Sequence, residues 1–354
     1  MDDFSVAHLL FDGARLTLAR EYAGLRKVEL ARVIELTPGA ITQFEQGRSK
    51  PSRGTVAALS LALGFAPAFF ESGRPVATAS ETTTYFRRLE GATKGLRSRL
   101  LARLKLLGEL LAVVEEHVTL PPVSIPDLAG RAPQEAAQLV RREWGLDFGP
   151  LTSVVRVLER QGVIVTRAQL DTTRVDAFSR WLNERPVVVL ASDKRDAARS
   201  RFDAAHELGH FVLHRAQPAN DRVIEREADA FAAAFLMPPE AIRKELPERV
   251  NWGRYLALKR RWGTSVASIV RQARDLGAIS EHAYYRANVH IHANGWDHDE
   301  PAALASAPDE PRLLKRALEK MDLELGLDAD VLAAQLHLDV EKIRGLSGEL
   351  SIAA

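Results

Sequence analysis

The run His206-Glu207-Leu208-Gly209-His210 places two imidazoles four residues apart. On a helix that spacing puts both rings on one face, one turn apart, which suits two corners of a tetrahedral zinc site. Glu207, one step round, is near enough to take a proton from a water at the metal without being a ligand itself. Zinc draws the pKa of such a water toward neutrality, so a hydroxide nucleophile becomes available at physiological pH. The chain contains no Cys, so a third ligand has to be another His or a carboxylate. Glu225-Arg226-Glu227-Ala228-Asp229 stands downstream. Glu225 and Asp229 are again four apart, so one can ligate while the other accepts the distal N–H of a histidine. The reading takes Glu225 as the ligand and Asp229 as the orienting group. Glu227, about 200° round the same helix, is the alternative ligand. His214 extends the histidine face by another four residues and reads as structural. An H-E-x-x-H string also arises by chance on surface helices. Favouring a site are the apolar strand upstream, the acidic helix downstream, and the small residues Gly209, Ala228 and Ala232, where two helices would have to pack closely.

The elements that must carry these residues can be read from pattern. Helices are expected around Gln134–Trp144 and Leu151–Gln161, then strands at Gly162–Thr166, Phe178–Leu182 and Pro186–Leu190, with a turn at Asn183-Glu184. Two further helices bear the histidines and the acidic cluster. This is an α+β block, helices packed on a small sheet. The Pro186–Leu190 strand is expected to offer its edge to an extended substrate segment by β-augmentation.

The run from Arg201 to Pro238 resembles the ImmA/IrrE family of metallopeptidases, bacterial and phage-element proteins that cleave transcriptional repressors. The matching residues are Arg201-Phe202, Ala204-Ala205-His206-Glu207-Leu208-Gly209-His210, Leu213-His214, and Glu225 through Phe231-Ala232 to Leu236-Met237-Pro238. Gly162-Val163-Ile164-Val165 and the strand ending Val189-Leu190 also fit, so the resemblance spans roughly 139 to 243. It implies a zincin-like fold, zinc carried by His206, His210 and Glu225, and Glu207 as general base.

A second chemistry lies near the N-terminus. Gly24-Leu25 closes one helix, and Glu29-Leu30-Ala31-Arg32-Val33 lies on the next, with Ala31 small where two helices must cross. Thr37 is a good N-cap and Pro38 suits a first helical turn. The helix they start would be a recognition helix, with Ile41 and Phe44 inward and Gly39, Thr42 and Gln43 toward bases. Gln pairs bidentately with adenine in the major groove. Arg48, Lys50 and Arg53 follow in a basic loop suited to phosphates. Residues 13 to 70 resemble the phage-repressor (XRE) class of helix-turn-helix, with Arg26-Lys27 where that class opens its second helix with a polar pair ending in Gln. The departure favours phosphate contact there over base contact.

With 354 residues, two or three domains are expected. The fold class is multidomain: an all-α helix-turn-helix domain (10–73), a linker and connecting helix (74–120), the α+β zincin-like metallopeptidase domain (124–243) and an all-α C-terminal extension (244–354). Lys and Arg total 48 against 47 Asp and Glu, so any basic patch must be local. The N-terminus Met1-Asp2-Asp3-Phe4 lacks the basic start of a signal peptide, and no apolar run approaches the roughly 20 residues of a membrane span. A cytoplasmic protein is expected, without membrane contact. Its partners would be double-stranded DNA and a repressor or other protein substrate, and a homodimer is left open. The polar stretch Thr78–Thr84 suggests that the DNA-binding unit is separable from the rest. His290, His292 and His298 read as part of a solvated turn anchored by Trp296. Three functions compete: a regulator with a working zinc endopeptidase, a regulator whose peptidase-like domain only senses a ligand or partner, and an antitoxin-type partner.

Overall fold

Local signals start and stop the N-terminal helices. In the computed structural model, which describes residues 3–71, 73, 93–168, 176–192, 196–215, 222–296, 300–301 and 308–347, these are α1 (Asp3–Leu9), α2 (Gly13–Tyr22), α3 (Lys27–Val33), α4 (Pro38–Glu45) and α5 (Arg53–Leu63), then a 3-10 turn at Pro67–Phe70. Thr37 caps α4 by accepting the Ala40 N–H at 3.2 Å, and Pro38 occupies the first turn. Gly13 allows α2 to cross the end of α4: a Cβ there would lie 2.3 Å from the Phe44 carbonyl oxygen. Thr78–Thr84 and His298 lie outside the described residues.

The long helix α6 (Lys94–His117) begins at the Thr93 cap. Of the leucines at helical spacing along it, Leu100, Leu104, Leu107 and Leu111 are buried and Leu96 is half-buried. The helix is more than a spacer. It shares one apolar core with the N-terminal helices, and Arg15 of α2 donates to Glu109 of α6 at 2.7 Å, both side chains withdrawn from water. The separable unit that the polar stretch suggests is therefore replaced by a packed one, because α2 buries against α6 a face that water would otherwise meet.

Beyond it follow α7 (Pro133–Glu143), α8 (Val154–Arg160), β1 (Ile164–Ala168), β2 (Ala177–Leu182) and β3 (Arg185–Ala191). The β2–β3 hairpin turns through Asn183, whose φ of 54° is one that Asn tolerates. Strand order is β1-β3-β2, with β3 parallel to β1 and antiparallel to β2. The expectation that the Pro186–Leu190 strand offers a free edge is thus overturned: β3 is central and hydrogen-bonded on both sides. The outer strand of the hairpin is β2.

Residues alternate along the sheet between two cores. Val187 and Val189 face the core that holds α6, and Val188 and Leu190 face the other. That second core contains α9 (Ala197–Leu213), α10 (Arg222–Leu236), the short α11 (Pro239–Ile242), α12 (Trp252–Trp262), α13 (Val266–Asp275) and α14 (Glu281–Ala293). Arg141 ties α7 to the end of α10 by donating to the carbonyls of Phe235, Asp147 and Gly149, and burial pushes its pKa down to about 10. The last helices, α15 (Leu313–Leu325), α16 (Ala329–Leu336) and α17 (Val340–Ser347), return to the first core beside α6. Among the described residues no helix is long and apolar enough to cross a membrane.

Candidate metal centre and nucleic-acid interface

Helix α9 lies under the sheet and is buried along almost its whole length. Asp196 starts it, accepting the N–H groups of Ala198 and Arg199. Helix α10 crosses it where Gly209 meets Ala228. A Cβ on Gly209 would stand 3.2 Å from the Ala228 Cα, so this glycine and this alanine permit the approach. That approach brings the acidic face of α10 over the histidines.

His206 Nε2 and His210 Nε2 lie 3.0 Å apart, both rings buried. The Glu225 carboxylate reaches over them, with oxygens 3.7 Å from His206 Nε2 and 3.5 Å from His210 Nε2. Among the described residues these three form the group able to hold a metal ion. Asp229 Oδ1 lies 2.9 Å from His206 Nδ1, and Glu227 Oε2 lies 2.9 Å from His214 Nε2. His214 Nδ1 in turn meets His210 Nδ1 at 3.2 Å. Glu227 is therefore engaged with His214, away from the pair of Nε2 atoms.

These contacts assign the protons. A carboxylate only accepts, so His206 carries its proton on Nδ1 and presents a lone pair at Nε2. Glu227 takes the Nε2–H of His214, which leaves His214 Nδ1 to accept the Nδ1–H of His210. The Nε2 of His210 is then a lone pair as well. Burial, with Glu225 opposing it, pushes the His210 pKa down to about 3, and burial lowers that of His214 too. Two nitrogen lone pairs and a carboxylate converge with no proton among them, an arrangement that a cation completes. Ligand atoms about 2.0–2.1 Å from a tetrahedral zinc stand roughly 3.3 Å apart, close to the spacings here. The donor set fits zinc.

Glu207 is buried and accepts a hydrogen bond from Ser179 Oγ of β2 at 2.5 Å. The partnership of Ser179 and that of His214 with Glu227 were not anticipated from sequence. The available signal for Ser179 was a small polar residue on an inward position of an apolar strand. His290 stacks on Trp252 at 4.3 Å with Trp296 edge-on to both, an aromatic cluster distant in character from a ligand set.

On the N-terminal unit, Ile41 and Phe44 point inward, and Gly39 and Gln43 are exposed. Thr42 is half-buried, its hydroxyl donating to the Pro38 carbonyl at 3.0 Å. Arg48 and Arg53 are exposed, whereas the Lys50 ammonium donates to the Leu9 carbonyl at the end of α1. Arg26 is bonded to Glu29, and Lys27 pairs with Glu45 at 2.9 Å. The cationic pair at the start of α3 is thus partly neutralised by its own neighbours.

Comparison with known families agrees with this division. Residues 13–69 match a helix-turn-helix domain, and residues 158–274 match the IrrE N-terminal-like domain of peptidase family M78. The second match extends from α8 to α13, past the two helices that carry the histidines and acidic residues. No curated protein matches the chain. The chain carries an N-terminal helix-turn-helix DNA-binding domain followed by a peptidase-type domain of the IrrE N-terminal-like family.

Proposed function

We propose that the chain is a cytoplasmic, DNA-binding transcriptional regulator whose zinc-dependent endopeptidase domain acts on a repressor or other partner protein. The observation that carries this reading is the cluster of His206, His210 and Glu225 beside Glu207, with the distal nitrogen of His206 held by Asp229 and that of His210 by His214, itself held by Glu227. The working organisation is a DNA-binding domain at 10–73, connecting residues at 74–120, the peptidase domain at 124–243 and a helical extension at 244–354. A homodimer would offer two recognition helices to two half-sites.

In this reading His206, His210 and Glu225 hold zinc, and Asp229 orients His206. Zinc supplies Lewis acidity, polarising a peptide carbonyl and acidifying water. Glu207 takes the proton of the attacking water on its carboxylate as the new C–O bond forms. It returns that proton to the amide nitrogen as the C–N bond breaks. Ser179 fixes the orientation of the carboxylate through the hydrogen bond it donates. The substrate segment extends along β2, which has β3 on one side and, among the described residues, no strand on the other. Gly39, Thr42 and Gln43 face bases, and Arg48, Lys50 and Arg53 contact phosphates, Lys50 after release from Leu9.

One observation favours a second reading, a sensor without proteolysis: Glu207 is only 2% exposed and already engaged by Ser179. The test compares the full chain with its Glu207→Gln and His206→Ala variants. About one zinc per chain is expected in the wild type and in Glu207→Gln, and none in His206→Ala. N-terminal labelling of the cellular proteome should find cleaved ends with the wild type that are missing with Glu207→Gln. Equal zinc loss in both variants would remove Glu207 from the base role. Unchanged cleavage patterns with normal regulation would leave the sensor reading.

A further inference from the structure

Where the DNA-binding unit meets α6 and α17, the structure encloses a cavity of about 320 Å³, remote from the metal centre. Its apolar wall is made by Tyr22 at the end of α2, Leu63 at the end of α5, and Leu96 and Leu100 of α6. Arg99 and Arg103, one turn apart on α6, line it too. At about 30 Å³ per water, the space admits roughly ten non-hydrogen atoms.

The charge in this cavity is unusual for the molecule. Arg15, Arg20, Arg141, Arg167 and Arg201, five side chains largely withdrawn from water, each have a carboxylate within 4.0 Å. Among the described residues Arg99 and Arg103 pair with none; Arg103 donates to the Gly345 carbonyl. Glu341 and Lys342 of α17 also line the cavity, each already paired, Glu341 with Arg344 at 3.0 Å and Lys342 with Asp339 at 2.6 Å. Burial pushes the Arg103 guanidinium toward a lower pKa, with Tyr22 opposing it and the like charge of Arg99 adding to it. An anion entering here would relieve that repulsion, and two guanidinium forks match the two oxygens of a carboxylate.

We propose that this cavity is a binding site for a small organic monoanion, its carboxylate held by Arg99 and Arg103 and its apolar body against Leu63, Leu96 and Leu100. The occupant would touch α2, α6 and α17 together. Tyr22 is two residues from Arg20, which holds Glu45 at the end of the recognition helix at 2.5 Å. A ligand in the cavity is therefore placed to set how firmly the recognition helix is anchored to the rest of the chain.

Phenylacetate, with the neutral and nearly isosteric phenylacetamide as control, tests this on the full chain by calorimetry. Saturable binding is expected for phenylacetate, at least about tenfold tighter than for the amide, since charge-assisted hydrogen bonds are the stronger ones. Arg99→Gln and Arg103→Gln should each reduce phenylacetate affinity toward that of the amide. His206→Ala should bind phenylacetate as the wild type does, which excludes the metal centre as the site. Hydrogen exchange should slow in α2, the first turns of α6 and α17 when phenylacetate is bound. No saturable binding, equal affinity for acid and amide, or protection elsewhere would overturn the proposal. Because Arg99 is partly exposed, Arg99→Gln keeps the test decisive if Arg103→Gln fails to fold.

Discussion

Glu227 and Asp229 differ by two positions on α10, yet each settles the tautomer of a different histidine. Asp229 acts on His206 directly, and Glu227 acts on His210 through His214. Removing such a partner commonly costs 10–100-fold in metal affinity. Glu227→Ala should accordingly weaken zinc binding by about tenfold or more in a chelator competition, while leaving one site per chain. Affinity within about twofold of the wild type would mean that His214 does not orient His210. At the other site, Gln43 is the exposed side chain suited to read adenine. Gln43→Ala should cost about 1–3 kcal/mol on a specific sequence and little on random DNA. Arg48→Ala should weaken both alike and make the salt dependence shallower. Equal losses on both sequences for Gln43→Ala would remove it from base reading.

The crossing of α9 and α10 determines whether the ligands meet at all. Replacing Gly209 by Ala would gain about 1 kcal/mol of helix propensity. The added methyl would press on the Ala228 backbone and the Phe231 ring at 3.2 Å, and overpacking of that kind costs about 1–3 kcal/mol. Backbone cannot rotate away, so the cost should win. Gly209→Ala should lower the urea midpoint and weaken zinc binding together, as Glu225 is lifted from the histidines. Gly95→Ala makes the same change in α6 where a Cβ meets nothing within 4 Å, and should be neutral or mildly stabilising. A Gly209→Ala protein with unchanged midpoint and zinc affinity would show that the helices have room to spare.

The whole molecule is held by contacts distant in sequence. Glu159 of α8 accepts the N–H groups of Arg312 and Leu313 at the start of α15, and Lys342 of α17 lies over the Phe65 ring at 4.5 Å. The last helices thereby bridge the peptidase-type domain to the DNA-binding domain. The Arg15–Glu109 pair is a buried polar link between α2 and α6. Taking away one member of a buried pair costs about 3–5 kcal/mol, because the other charge is left in a poor solvent. Glu109→Ala should therefore destabilise the N-terminal domain by that amount and give a separate, earlier thermal transition. An unchanged melting curve would mean that α2 and α6 associate without this pair.

The sequence alone determined the parts whose cause is local. The spacing of His206, Glu207 and His210 follows from one helical turn. Thr37-Pro38 starts α4 through its own hydroxyl and ring, and Asn183 turns the hairpin because it tolerates a positive φ. Other features depended on how elements lie against one another. Which of Glu225 and Glu227 stands over the imidazoles depends on the rotation of α10 about its axis, and that is set by the Gly209–Ala228 contact with α9. The central place of β3 was hidden because strand order need not follow chain order. The polar stretch at Thr78–Thr84 carries no trace of α6 packing against α2, since that association rests on apolar faces and on the Arg15–Glu109 pair, 94 residues apart. Burial, edge position and pairing across such separations are decided only when the whole chain excludes water.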